Sequence, residues 1–517
     1  MKHLRIRLPS NIYIHFIALI LASTTSLLHA ADSVQPNATR PNILFLLADD
    51  WGWPHASCLN DTVVKTPTFD RLVKEGVQFV NAHSTDPSCS PSRASILTGQ
   101  YPWRLNDGAN LFGYLPARFE VYPDLLEKNG YFVGYMLKGY SPGTLGDRTR
   151  NPAGNEYKDF ETFLKQRPAG QPFCFWLGSH HPHRPYQLGI GVAHGLDPNK
   201  VMVPPYLPDS PEIRSDICDY YYNVEYFDQH ESAAAVAAVE HLGELDNTII
   251  VMTGDNGWPI PRGKTTNYDT GTHQTLAIRW SARITPGRTV TDFVSLSDLA
   301  PTFLDAAGIA IPSAMTAKSL MPLLLAKGSG QIDPTRDHVL AGMERHTDRE
   351  SDDGTHYQGY PRRDIVTKDY HYIINFHPER WVAGNPKGFQ VPGAAPATFE
   401  QLSNLTGIAY SDIDASPTKA WIVIHRADPN VKPLADAILG HHPDCELYDL
   451  RKDPYELKNV AKDPAYADVV NDLNKRLMDE LTATADPRTQ AGSVELDTLP
   501  STQSKNPKTN TKAPVIF

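Results

Sequence analysis

The stretch RPNILFLLADDWGW, Arg40 to Trp53, carries an apolar run from Ile43 to Leu47 that stops at two carboxylates, Asp49 and Asp50. A short continuous apolar run has no polar side to show to water. It predicts a strand buried on both faces, of the kind found in parallel sheets. The same plan returns in DNTIIVMTGDNG, Asp246 to Gly257, where the apolar run ends at Asp255 and Asn256. Singly, "DD" and "DNG" are ordinary turn pieces. Here both follow buried strand-like runs, and in open α/β sheets the site lies beyond the carboxyl ends of the strands. Three carboxylates and an amide oxygen make a hard donor set suited to Ca²⁺ or Mg²⁺.

Outward from these two strands the chain alternates. KTPTFDRLVKEG (65–76) predicts a helix capped by Thr66, with Pro67 in its first turn and Gly76 past its end, and VQFVNAHS (77–84) predicts a strand. YPDLLEKNGYFVGYML (122–137) repeats helix then strand, and PFCFWLGS (172–179) is a strand that runs into HHPHRP (180–185). Residues 209–245 read as helix, and SLSDLAPTFLDAAGI (295–309) as a capped helix stopped by glycine. The alternation predicts an α/β domain over 41–330, with a central mostly parallel sheet flanked by helices. AKGSGQIDPTRD (326–337) reads as a linker. A smaller C-terminal domain over 335–485 follows, with short antiparallel strands in RDIVTKDYHYIINF and CELYDLRKDP and a closing amphipathic helix in YADVVNDLNKRLMDELTA. From Asp486 to 517 the polar, Pro/Thr/Ser-rich composition predicts a loosely ordered tail.

Residues 1–30 have the layout of a secretory signal peptide: Lys2, Arg5 and Arg7, then IYIHFIALILA, then small residues up to Ala30. The apolar run is shorter than the about 20 residues a membrane span needs. An exported protein, periplasmic or secreted, without a membrane span is expected. Loss of this segment leaves 45 Lys and Arg against 59 Asp and Glu, a formal charge of −14 instead of −11. Such a charge disfavours nucleic acid as a partner. An anionic ligand then needs a local positive pocket. The five cysteines, 58, 89, 174, 218 and 445, are scattered, odd in number and without a CxxC pair. A metal–thiolate site is not indicated. Cys58, Cys174, Cys218 and Cys445 read as structural or inert.

Cys89 is different. It lies in STDPSCSPSRASILTGQYP, Ser84 to Pro102, among turn-forming and hydroxyl residues. CSPSRASILTG resembles C-x-P-S-R-x-x-x-x-T-G, the signature of the type I sulfatases within the alkaline phosphatase superfamily. The resemblance runs over about residues 41–485 and takes in PNILFLLADDWG, TPTFDRLVKEGVQFVNAH, PHRP, DNTIIVMTGDNG, DLAPTFLDAAGI and ELYDLRKDPYELKNVA. It implies an alkaline-phosphatase-like fold and conversion of Cys89 to formylglycine by a formylglycine-generating or equivalent maturation enzyme. It also implies metal ligands Asp49, Asp50, residue 89, Asp255 and Asn256. Lys138 and Lys264 align with lysines that contact sulfate, His183 with the histidine that protonates the departing alcohol, and Arg93 with the motif arginine. The hydrate of an aldehyde offers two hydroxyls, one to attack sulfur and one to expel sulfate, which a serine lacks. Pro91 favours a helix start, which sets residue 89 near a positive helix end.

One position departs from the resemblance. The family pattern K-x-H reads Lys138-Gly139-Tyr140 here. Tyr140, or one of His180 and His181, is expected to replace the missing histidine, or the elimination step differs. MERHTDRE (343–350), GYPRRDIVTKDYHYIINFHPERWVAGNP and the glycine after Lys138 resemble a bacterial group related to heparan N-sulfatases. A sulfated carbohydrate is the expected substrate, with Glu344, Arg345, His346 and His181 as candidate contacts. His273 either faces the site or packs beneath it. Two other readings stand beside this one: a phosphonate or phosphodiester hydrolase on the same scaffold, and a non-catalytic protein that binds sulfated sugar.

Overall fold

Strand β1 (Asn42–Ala48) sends Leu44, Leu46 and Ala48 into one apolar cluster and Ile43, Phe45 and Leu47 into another, all without solvent exposure. Alternate side chains of a strand point to opposite faces, so a run apolar at every position fits only a strand covered on both sides. The computed structural model describes residues 40–348, 358–386 and 396–499. The signal segment expected over 1–30 lies outside the described residues.

Eight further strands join β1 in the main sheet: β2 (Val77–His83), β3 (Phe132–Leu137), β4 (Asn155–Glu156), β5 (Phe173–Gly178), β6 (Thr248–Gly254), β7 (His273–Arg279), β8 (Arg288–Val290) and β9 (Val294–Ser295). Their order is β4-β3-β5-β1-β6-β7-β2-β8, with β9 beside β2. Only β7 runs against the others, being antiparallel to both β6 and β2. On one face pack α1 (Pro67–Glu75), α5 (Pro211–Tyr226) and α6 (Ala233–His241), through Phe69, Leu72, Ile213, Ile217, Val236 and Val239. The other face is covered by α2 (Cys89–Thr98), α3 (Tyr122–Lys128) and α7 (Leu299–Ala306). The helix α4 (Phe160–Gln166) packs on the first face through Phe160 and Phe163.

Two local expectations change. Thr66 precedes α1 but does not cap it, because its hydroxyl donates to Asp70 and meets Ser57 instead. The helix expected over 209–245 runs from Pro211 to His241 and widens to a π turn, Phe227–Ser232, between α5 and α6. Gly76 ends α1 where a side chain has no room, since a Cβ there would lie 2.3 Å from the Ile278 carbonyl oxygen.

The second sheet is antiparallel: β10 (His338–Met343), β11 (Arg362–Thr367), β12 (Tyr370–Asn375) and β13 (Cys445–Asp449). Between β12 and β13 lies α8 (Pro417–His425), which packs back on the first apolar cluster through Ile422 and Val423. The closing helix α9 (Ala467–Ala483) lays Leu473, Leu477 and Leu481 on Leu340, Ile365, Tyr372 and Leu447. The i, i+4 spacing of those leucines is the stripe the sequence predicts.

The tail is corrected in part. Through Leu499 it is held, not loose. Asp486 accepts from Arg363 Nε at 2.6 Å, and Asp497 accepts from Arg488 at 2.5 Å and Arg380 at 2.8 Å. Both carboxylates are fully buried. A polar composition misleads here because each buried charge meets a guanidinium partner. Among the described residues no helix is long and apolar enough to cross a membrane.

Candidate active site

Parallel pairing of β1 with β6 puts Ala48 beside Gly254, so the two acidic strand ends emerge side by side. Asp50 takes a left-handed backbone, φ 74°, uncommon outside glycine but tolerated by Asp. Its N–H donates to Asp255 Oδ1 at 3.0 Å, and Asn256 Nδ2 donates to Asp50 Oδ1 at 2.8 Å. Asp49, Asp50, Asp255 and Asn256 are at most 1% exposed.

Cys89 is the first residue of α2, and its Sγ stands 3.3 Å from Asp49 Oδ1 and 3.8 Å from Asp50 Oδ1. All ten residues of this helix are buried, and Gly99 ends it at φ 63°. Burial and the Asp49 carboxylate push the Cys89 thiol well above its ordinary pKa. That is the reverse of a reactive cysteine, which sits in positive surroundings as thiolate. One turn along the same face, Arg93 donates Nε to Asp255 at 2.7 Å and Nη1 to the carbonyls of Lys138 (2.6 Å) and Gly139 (3.1 Å). With no exposure, it holds the carboxylates rather than reaching a substrate.

Two lysines complete the cage. Lys138, just after β3, pairs with Asp49. Lys264 Nζ lies 2.9 Å from Asp50 Oδ2 and 3.3 Å from Asp414 Oδ2. Burial opposes the charge of both ammonium groups, but Asp49 on Lys138, and Asp414 and Asp50 on Lys264, outweigh it and raise their pKa. Burial alone would raise the Asp49 carboxyl; Lys138, His183, Arg93 and Lys264 pull it well below the ordinary range. Asp255 goes the other way, raised by burial that Arg93 only partly offsets. Asn256 Oδ1 is buried without a hydrogen-bond partner. An orphaned amide oxygen among three carboxylates is the donor set expected of an oxygen-coordinated divalent cation, so these residues fit one.

His183 Nδ1 bonds the Arg184 carbonyl, so that nitrogen carries the proton and Nε2 faces the site, 3.9 Å from Asp50 Oδ2. Its loop is fixed by Arg184, which forks onto Asp216 of α5 with two bonds of 2.8 Å. His180 stands at the open side. Its ring reaches solvent but has dense protein around it, and that desolvation lowers its pKa to about 4 against the pull of Asp49.

The structure thus brings together Asp49, Asp50, Cys89, Arg93, Lys138, His183, Asp255, Asn256 and Lys264. Other expected residues lie elsewhere. Tyr140 is buried in the second apolar cluster with its hydroxyl unpartnered, so it does not take the place of the missing histidine. His181 turns to Asn223 at 2.9 Å and packs at a tilt against Tyr226. His273 packs beneath the site, between the rings of Trp53 and His83, and bonds Asp269 and the Val80 carbonyl. Glu344 pairs with Arg363 and Arg488, and Arg345 donates to the carbonyls of Asp497 and Leu499. Both are spent on holding the C-terminal segment. His346 is buried against Ser88 Oγ at 2.7 Å, yet it stays close enough to Asp414 to help hold that carboxyl down, so it borders the site. Asp414 is the site residue that sequence reasoning missed. It is 150 residues from Lys264 in the chain, in a loop with no motif to mark it.

Comparison with known proteins agrees with this geometry. The Sulfatase family model matches residues 41–144 and 155–309, and that for the N-sulphoglucosamine sulphohydrolase C-terminal region matches 254–376. An ulvan-active sulfatase of Formosa agariphila is 28% identical over 86% of this chain and 76% of its own. Human N-sulphoglucosamine sulphohydrolase is 27% identical over 86% of this chain and 91% of its own. A solved structure described as in complex with its substrate D-glucosamine-2-N,6-O-disulfate superposes with TM-score 0.60 at 19% identity, covering 88% of this chain and all of that one. A phosphonate monoester hydrolase from Silicibacter pomeroyi superposes equally well, TM-score 0.61 at 19% identity over 87% of this chain and 97% of its own, so the fold by itself does not choose the reaction. With the family model spanning half the chain and the acid–lysine–cysteine cage in place, the chain belongs to the sulfatase family and is a sulfuric ester hydrolase.

Proposed function

We propose that this protein removes sulfate from a sulfated carbohydrate outside the cytoplasm, with formylglycine at position 89 and a Ca²⁺ ion, or Mg²⁺, at Asp49, Asp50, Asp255 and Asn256. The observation that carries the reading is Cys89 Sγ at the first turn of α2, 3.3 Å from Asp49 and inside a ring of three carboxylates and two lysines. The sulfated sugars named for its relatives support the substrate class, and the signal-like layout of residues 1–30 supports export.

A hydrated aldehyde at position 89 and a divalent cation together supply an acidified hydroxyl nucleophile and a sink for charge on the sulfuryl oxygens. The chain's own residues do the rest. Lys138 and Lys264 bind the sulfate oxygens from opposite sides of the carboxylate cluster. Arg93 keeps Asp49 and Asp255 fixed. His183 presents Nε2 to the departing sugar oxygen; with a second proton there, besides the one on Nδ1, the imidazolium can act as the acid. With Tyr140 in the core and His181 bonded to Asn223, His180 is the residue left to serve the second half of the reaction. Its lowered pKa, about 4, keeps the ring neutral at pH 7 with a nitrogen lone pair free, though as a weak base.

The test is a desulfation screen on defined sulfated oligosaccharides, with Cys89→Ser as the blank. It is paired with the mass of the Cys89 peptide, expected about 18 Da light after thiol-to-aldehyde conversion. Chelation should abolish turnover and added Ca²⁺ or Mg²⁺ should restore it. Full activity with an unmodified cysteine sinks the mechanism. Turnover of aryl phosphonates but of no sulfate sinks the reaction.

A further inference from the structure

Exposure around the site rises in order. Asp50 has none, Lys264 is 4% exposed, Asp414 18% and His183 33%. The anion therefore sits deep, and whatever carries it meets Asp414 and His183 at the lip. The Asp50, His183 and Asp414 side chains converge, with ligand atoms within 4.8 Å of one another.

Asp414 is held there by a built scaffold. Lys419 of α8 donates Nζ to the carbonyls of Thr406 (3.0 Å) and Ile413 (2.8 Å), clamping the loop from below. Thr265, next to Lys264, donates to the Asp412 carbonyl at 3.0 Å. Asp216, which grips Arg184 behind His183, also accepts from Thr418 Oγ1 at 2.6 Å. The Asp414 loop is thus fastened to the same supports as the His183 and Lys264 loops. It also lies past residue 376, beyond the stretches matched by either family model.

A fixed carboxylate at the rim of an anion pocket is unexpected, because it repels the ligand that the two lysines attract. It has a use if it reads the atom next to the sulfate. We propose that Asp414 is a specificity-determining residue that requires a hydrogen-bond donor, a hydroxyl or an amine, on the sugar carbon beside the sulfated position, and rejects a second sulfate or a carboxylate there. A donor bonded to a carboxylate gains a charge-assisted bond, and an anion in its place meets like charge. This rests on the carbohydrate sulfatase reading above and adds which neighbour the substrate must have.

The experiment compares kcat/KM of the mature enzyme and of Asp414→Asn and Asp414→Glu on four probes. These are the best monosulfated sugar of the screen with a hydroxyl beside the sulfate, its analogue with an amine there, its vicinal disulfate, and 4-nitrophenyl sulfate as reference. The wild type should favour the first two over the disulfate. Asp414→Asn should shrink that preference about 10- to 100-fold, the worth of a bond to a charged group, while Asp414→Glu keeps its sign. Which of the hydroxyl and amine probes loses more in Asp414→Asn identifies the donor. If all four probes fall by one factor, Asp414 acts only through Lys264 and the inference is overturned, with the sulfatase reading intact. If the wild type cleaves 4-nitrophenyl sulfate and no sugar sulfate, the carbohydrate reading falls first and this one with it.

Discussion

The direction of His183 follows from one backbone carbonyl. With Nδ1 committed to Arg184, the ring can offer only Nε2 to a leaving group. A sugar alcohol leaves far less readily than a nitrophenol, so it depends more on that proton. His183→Gln should therefore cost about 10²–10⁴-fold in kcat on sugar sulfates and much less on 4-nitrophenyl sulfate, seen in paired steady-state assays. Equal losses on both would remove His183 from the acid role. His180→Ala separates the two half-reactions: stopped-flow traces should show a burst of nitrophenol followed by slow turnover, and a variant without a burst points to another residue. Asp49, Asp50, Asp255 and Asn256 were legible in the sequence because they follow buried strand-like runs, and Cys89 and both lysines because their motifs resemble the family's. Tyr140 and His273 were not, because a polar tip says nothing about which side of a strand or loop the ring falls on. Asp414 was invisible for a different reason, since only tertiary folding brings its loop to Lys264.

At the scale of elements, α9 shows how far periodicity reaches. Leu473, Leu477 and Leu481 repeat at helical spacing, and all three are buried on the second sheet. Leu477 has no exposure, so Leu477→Ala should destabilise the fold by about 2–5 kcal/mol in urea unfolding. The folded fraction should keep its kcat, as Leu477 belongs to the apolar cluster of the second sheet and not to the site. Strand and helix kinds were legible from apolar pattern and glycine stops. The reversal of β7 was not, because its sequence, HQTLAIR, looks the same in either direction. The π turn after Tyr226 was equally hidden, since α5 and α6 differ from it by a single residue per turn.

Across the whole molecule the two sheets meet through buried charge. His371 of β12 bonds Asp364 at 3.1 Å and also Glu456; Asn267, in the loop before β7, donates to Asp364, and Glu456 accepts the Asp269 N–H at 2.9 Å. Burial disfavours the imidazolium, but Glu456 and Asp364 outweigh it and raise its pKa to about 10. A raised folded pKa stabilises fully below the unfolded value of about 6.5 and is lost as pH rises towards 10. The melting temperature should fall across that alkaline window, and His371→Gln should flatten the fall while lowering stability at neutral pH. An unchanged slope in the variant would move the effect to other groups. The composition shift near residue 330 reads as a boundary in the sequence, while the buried polar contacts that tie the second sheet to the loops of the first are not visible as apolar pattern.

The enclosure of α2 has a consequence in time. Its ten residues are all buried, and Cys89 is 2% exposed beneath the loops that carry the lysines. No enzyme can grip a side chain so enclosed without opening the sheet on which the helix lies. An enzyme that modifies the Cys89 side chain would therefore have to act while the chain is still extended, before this helix packs. A slow-folding chain would then be modified more completely than a fast one. The order of modification and folding, and not stability alone, would then decide what fraction of the molecules can turn over.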